Sequence, residues 1–282
     1  MKSFRICIQN IRKWTSNSRI WMSLVLAMLF VYLYTKGLWS VCDYLQEDMS
    51  PWIFPFLLTY RYMNIIFMFP VVFIFCDAPF IDANQPYVML RTKRSIWSIG
   101  QVLYIMLGSF AYVLVLFLST IIVNIGHLTW NPSWGNVLGL AGTSNILEIL
   151  RVNYSTVKLP GKVIQHFTPL QAIFFSALLM WLSFVFIGLI IYVFNVVTNT
   201  TVVGVVIASF FILFTSLADL DIRLVKFSPI SWNNLANIDV GGISNYPTID
   251  FVLGFYIITN IVLAVIAVLV GKRQNVEVHM VT

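Results

Sequence analysis

Charges are rare along this chain, and long apolar stretches lie between them. Residues 20–35 run uncharged from Arg19 to Lys36, and residues 53–76 are interrupted only by Arg61 before Asp77. A long run after Arg94 contains 99–124, and no charge occurs from Val163 to Ala218. The last uncharged stretch, 251–271, lies between Asp250 and Lys272. A hydrocarbon core of about 30 Å is crossed by about 20 apolar helical residues. The pattern therefore predicts six transmembrane helices, at about 20–35, 53–76, 99–124, 170–194, 202–217 and 251–271. The fourth and fifth are divided by the polar turn Asn195-Val196-Val197-Thr198-Asn199. Barrel strands would alternate polar and apolar positions, whereas Phe110 to Leu118 is apolar throughout. The expected fold is an all-α integral membrane protein forming a single transmembrane domain over 1–282.

Lysine and arginine accumulate on the cytoplasmic side of membrane proteins. With the N-terminus inside, ten lie inside and six outside, Arg61 being uncounted. Both termini are then cytoplasmic. A cleaved leader would need a small-x-small site after the first span, but Lys36-Gly37-Leu38-Trp39 stands there. Ahead of that span, residues 1–19 place Phe4, Ile8, Ile11 and Trp14 at helical spacing, with Arg5, Gln9, Arg12 and Lys13 opposite. An amphipathic helix in the headgroup plane fits. So does a basic leader that orients the first span.

The segment 77–98 between the second and third spans is the most informative on the inner side. Pro79 and Pro86 punctuate it, and Asp82 or Asn84 can cap a short helix. Such a helix carries Tyr87, Leu90 and Arg91, with Lys93, Arg94 and Trp97 beyond. Its mixed apolar and basic surface suits docking to a protein partner, though a positively charged topology loop also accounts for it. The outer loops are 125–169 and 218–250.

Composition narrows the class. Hydrophobic residues form 59 % of the 282, charged ones 10 %, and the mean hydropathy is +0.87. A soluble domain averages about 25 % charged residues, and disorder needs low hydrophobicity with high charge; both are excluded. The net charge is +6, divided among small clusters. That argues against a nucleic-acid surface. Cys7, Cys42 and Cys76 are too few and scattered for a disulfide framework or a metal site.

The run Tyr87-Val88-Met89-Leu90-Arg91-Thr92-Lys93-Arg94-Ser95-Ile96-Trp97-Ser98-Ile99-Gly100-Gln101, after an acidic residue that closes the second span, resembles the membrane subunit of type-2 ATP-binding-cassette (ABC) transporters. Phe227-Ser228-Pro229-Ile230-Ser231-Trp232 is similar to that family's Ser-Pro-x-x-Trp stretch before the last span. The resemblance covers the layout of nearly the whole chain, and these two motifs in residues. It implies an N-terminal connecting helix, a coupling helix within 77–98 that sits in a groove of the ATPase subunit, and short re-entrant elements near 219–247. It also implies separate ABC ATPase subunits holding ATP and Mg, and a second permease copy or homologue as homodimer or heterodimer partner. The outer loop 125–169 is longer than in many members.

A phosphate cradle would read Gly-x-x-x-x-Gly-Lys-Ser/Thr. Gly161-Lys162 and Gly271-Lys272 lack both the earlier glycine and the following hydroxyl, so no ATPase site is expected in this chain. The histidines His127, His166 and His279 lack metalloprotease spacing, and Gly142-Thr143-Ser144 lacks the nucleophile-elbow context. No catalytic residue, metal or bound cofactor is expected. Arg61 is either a snorkelling cation or a polar contact in a substrate path or dimer seam. Tryptophans near both boundaries fit interfacial belts. The resemblance implies an export permease for a peptide, antimicrobial or lipid in the lipid bilayer of a bacterial plasma membrane, and an apolar path with few charges suits a hydrophobic or amphipathic substrate. A polytopic membrane enzyme and a passive channel or assembly factor are the alternatives.

Overall fold

In the computed structural model, residues 2–80, 92–150, 158–218, 221–242 and 244–272 are described, without the side chains of Arg61 and Ile222. Local signals next to apolar runs set the helix ends. Lys2–Arg12 (α1) leads through a 3-10 turn, Lys13–Ser16, to Ser18–Leu45 (α2). Asn17 caps α2 by accepting from the Arg19 amide, and Gln46 ends it in the left-handed region. Arg61–Phe75 (α3) and Arg94–Val123 (α4) follow. Short helices Gly135–Thr143 (α5), Ile146–Ile149 (α6) and Gly161–His166 (α7) lie in the first long loop. Pro169–Thr198 (α8) opens with proline at its first turn and a reciprocal cap between Thr168 and Gln171. It stops at left-handed Asn199, whose amide returns to the Asn195 carbonyl. Val203–Ala218 (α9), Ile222–Val225 (α10) and Ile249–Gly271 (α11), capped by Thr248, complete the order. Among the described residues there is no strand, only the isolated bridges Met49–Leu128 and Asp239–Thr248.

Four helices, α2, α4, α8 and α11, are long and apolar enough to cross a membrane; α3 and α9 are shorter apolar helices. This is an all-α, multi-pass membrane architecture. α8 is its axis, packing against α3, α4, α9 and α11 along a largely buried length. Exposed Met22 and Val25 on α2, Val206 and Phe210 on α9, and Ile258 and Ile261 on α11 give the outside an apolar coat. In water such a coat would be an aggregation surface; against acyl chains it costs nothing. A Cβ on Gly188 would sit 2.6 Å from Ile105 Cγ2 and 2.9 Å from Phe75 Cδ2, so α8 meets α3 and α4 without a gap. Gly204 likewise rests on the Ile191 carbonyl, whereas Gly254 faces open space.

One expected span is corrected. Residues 53–60 do not extend α3. Phe54–Phe56 is a 3-10 turn and the α-helix starts only at Arg61. Pro55 cannot donate a helical hydrogen bond and its ring crowds the preceding turn, so apolar sequence here builds a buried turn. Arg61 therefore opens a helix rather than interrupting one; its reading as a path or seam contact lies outside the described side chains. Elsewhere the helices run longer than the uncharged stretches. α2 continues ten residues past Thr35, and α4 begins at Arg94 rather than 99.

Candidate functional site

The bundle has two dissimilar ends. One gathers α1, the start of α2, the end of α3, the start of α4, the α8–α9 turn and the end of α11. It includes the described parts of 77–98, where the sequence places the partner contact.

α1 is three-sided. Ile6, Cys7 and Asn10 are buried and face α4. A Cβ on Gly100 would lie 2.9 Å from the Ile6 side chain, so only a residue without one lets α1 sit this close. Asn10 Nδ2 donates to Gln101 Oε1 at 2.5 Å, and Trp14 Nε1 donates to the Tyr104 hydroxyl at 2.9 Å. The steps Ile6–Asn10–Trp14 and Gly100–Gln101–Tyr104 follow helical spacing, so two helices mesh along one seam. Burial raises the Cys7 thiol above its ordinary pKa. The predicted stripe of Phe4, Ile8, Ile11 and Trp14 is thus divided. Trp14 and Ile11 pack on the protein, whereas Phe4 is 53 % exposed. Hydrophobic spacing alone misplaces this face, because two of its protein contacts are amides.

The elbow after α3 is tied to three other elements. Asp77 pairs with Arg19 of α2, whose other guanidinium nitrogen lies 3.3 Å from Cys76 Sγ. With side chains 47 % and 54 % exposed, that pair contributes at most about 1 kcal/mol. Phe80 adopts φ 61°, uncommon for a bulky residue, and its ring meets Tyr104 edge-on at 4.8 Å. Buried Asn195, near the end of α8, donates to the Ala78 carbonyl at 3.0 Å and accepts from the Gly204 amide at 2.8 Å. One amide thus joins the elbow to the α8–α9 turn. Beyond the elbow, Arg94 donates to the Lys272 carbonyl at 3.3 Å, and Gly271 packs on Ser98.

Of the residues expected to contact a partner, Asp82, Tyr87, Leu90 and Arg91 lie outside the described residues. Lys93 caps α4 in an extended conformation and is exposed, as is Arg94. Trp97 lies one turn inside α4 and is 0 % exposed. Asn195, Gln101 and Asn10 were not singled out as site residues. Their signal was an amide within or beside an otherwise apolar run.

The opposite end is laced by loops. The buried turn Pro229–Asn233 enters between helices, where Asn233 and Asn64 of α3 exchange amide hydrogen bonds at 3.2 Å. Tyr256 of α11 donates to the Pro229 carbonyl at 2.7 Å. The Tyr34 hydroxyl donates to the Phe56 carbonyl at 2.7 Å and stands 3.1 Å from that of Lys158, so the buried Phe54–Phe56 turn and the chain at Lys158 meet at α2. Irregular backbone at membrane depth persists only where protein satisfies it. Four of the tryptophans near the sequence boundaries tie elements together through their indole N–H groups. Trp232 donates to the Val225 carbonyl, Trp52 to that of Asn131, Trp134 to that of Phe167, and Trp39 to Asn124 Oδ1. Trp130 and Trp21 remain exposed. Lys162 donates to the Ile238 carbonyl at 2.6 Å; partial burial lowers its pKa, opposed by nearby Asp239. Ser244 hydrogen bonds hold the Asp239 carboxyl below its ordinary value.

Among the described residues, no three His, Cys, Asp or Glu side chains stand together to hold a metal. No protein family, curated protein or solved structure matches this chain.

Proposed function

We propose that this chain is the permease subunit of an ATP-driven ABC transporter. It exports a hydrophobic or amphipathic substrate across a bacterial plasma membrane, with α3 and α9 completing six crossings and both termini cytoplasmic. In this reading the end that carries α1 faces the cytoplasm. A separate ATPase subunit, with its own ATP and Mg, docks on the segment after Phe80. A second permease completes the path. The observation that supports this most is the bracing of the elbow. Residues 77–80 are connected to α2 through Arg19, to α4 through Phe80 and Tyr104, and to the α8–α9 turn through Asn195. A displacement delivered there would reach four spans at once, which is what an externally driven permease needs.

The test is purification of the full-length chain in mild detergent from its native membrane. An ATPase subunit should copurify with the wild-type chain and be lost from Leu90→Asp, while the variant still inserts in the membrane. Undiminished assembly with the variant would reject the docking role. Turnover of a lipid or peptide by the isolated chain would make it an enzyme, and solute flux without nucleotide would make it a channel.

A further inference from the structure

Just past the tip of α2, a cavity of about 630 Å³ opens between residues 46–50 and the first long loop. Polar side chains wall it, and their own hydrogen bonds hold them in fixed poses. Asn136 Nδ2 donates to both carboxylate oxygens of Glu47, at 2.9 and 3.3 Å. The Thr129 hydroxyl donates to Asp48 Oδ2 at 3.0 Å, which leaves Asp48 Oδ1 as an acceptor. Asn131 spends its side-chain oxygen on its own turn, where the Ser133 amide and hydroxyl donate to it at 3.0 and 2.8 Å. Its Nδ2 is therefore oriented, and it donates to no described residue. Trp130 comes between the lining residues Thr129 and Asn131 and is 78 % exposed. That indole is nonetheless braced. Trp52 stands edge-on to it at 5.3 Å, and Trp52 Nε1 donates to the Asn131 backbone carbonyl at 2.6 Å. The residue that offers the spare donor thus also anchors the aromatic plate beside it.

We propose that this cavity binds a neutral hexopyranose unit of an oligosaccharide. Neighbouring sugar hydroxyls donate to Glu47 and Asp48 and accept from Asn131 Nδ2, while the C–H face of the ring lies on Trp130. Hydrogen bonds to a carboxylate are about twice as strong as neutral ones, and side chains already held in place lose little freedom on binding. A metal ion or an ammonium group would use the two carboxylates but not an amide donor beside them. A sugar hydroxyl both gives and accepts, so it uses all three. The site is built by the tip of α2 and one loop and does not involve the elbow, so it stands or falls separately from the permease reading.

The full-length chain, held in a detergent that carries no sugar headgroup, is titrated by calorimetry with maltotriose, cellotriose and chitotriose. At least one should bind with a dissociation constant of about 1 mM or below. Sorbitol, which has the hydroxyls without the ring face, should bind about tenfold more weakly. Trp130→Ala should weaken the sugar about tenfold, and Trp130→Phe less, with the melting temperature kept because the indole is exposed. Asn131→Asp keeps the acceptor that Ser133 uses and removes only the donor, so it should weaken the sugar several-fold. A cation would bind that variant more tightly. Absence of binding by all three sugars up to about 10 mM overturns the proposal, as does sorbitol binding equally well. Trilysine that binds more tightly than every sugar and gains from Asn131→Asp would make this a cation site and overturn the sugar assignment. Sugar binding left intact by both Trp130→Ala and Asn131→Asp would place the sugar elsewhere, and the proposal fails.

Discussion

The two ends of the bundle are built by different means. Around the Pro229–Asn233 turn, loops are driven between the helices, and carbonyls are satisfied by Asn64, Tyr256, Trp232 and Tyr34 from separate elements. At the other end the described contacts join helices to helices: an exposed ion pair between Arg19 and Asp77, side-chain hydrogen bonds along the α1–α4 seam, and Asn195 linking the elbow to α9. Local stability in a protein tracks such buried contacts, and moving parts come from its weaker regions. The contrast is between a cap laced by inserted loops and an elbow fastened to separate helices at a few named side chains, with α8 running through both.

Breaking the cap should have the largest effect. Trp232→Ala removes a buried indole that also holds the Val225 carbonyl. It should cost about 3–5 kcal/mol, seen as a large drop in melting temperature in detergent. Asn64→Leu leaves Asn233 without its amide partner; a loss of about 2 kcal/mol is expected from stranded buried polar groups, measured by the same thermal scan. Asn195→Leu probes the elbow instead. It frees the Ala78 carbonyl and the Gly204 amide, so hydrogen exchange should quicken at Gly204 while the cap amides near Asn233 keep their protection. Equal acceleration at both ends would erase the distinction drawn here. Arg19→Gln should shift the midpoint least of these four, by about 1 kcal/mol or less, since the pair is exposed.

The smallest effect concerns pH. The Asp239 carboxyl titrates below its ordinary 3.8 because Ser244 donates to the charged form. A lowered folded-state pKa stabilises above 3.8, and that contribution is lost as pH falls through the folded value. Asp239→Asn should therefore flatten the acid limb of the melting curve below about pH 4 and leave neutral pH almost unchanged.

How much of this was legible in the sequence depends on the kind of contact. α8 could be read to within a few residues, because Thr168-Pro169 and Asn199 lie directly beside an uninterrupted apolar run. The stretch before Arg61 could not, since apolarity is the same whether a segment crosses lipid or fills the inside of a protein. Pro51 and Pro55 were the only local warning. On α1 the apolar stripe does not disclose the neighbouring helix: Asn10 meets Gln101 across 91 positions, a pairing no periodicity records. Nor does the position of the tryptophans near boundaries in the sequence disclose the particular carbonyls to which their N–H groups donate. For the elbow, the boundary residues Arg19 and Asp77 were visible, but not that they meet.

Helix α2 carries a last consequence. Its residues from Lys36 to Leu45 add about 15 Å of rise beyond the uncharged stretch that precedes them. A helix of that length works as a mast, and just past its tip Glu47 and Asp48 hold Asn136 and Thr129 of the first long loop. Any tilt of this helix is therefore passed to that loop at the far end of a long lever, while Arg19 and Asp77 fix the same helix at its foot.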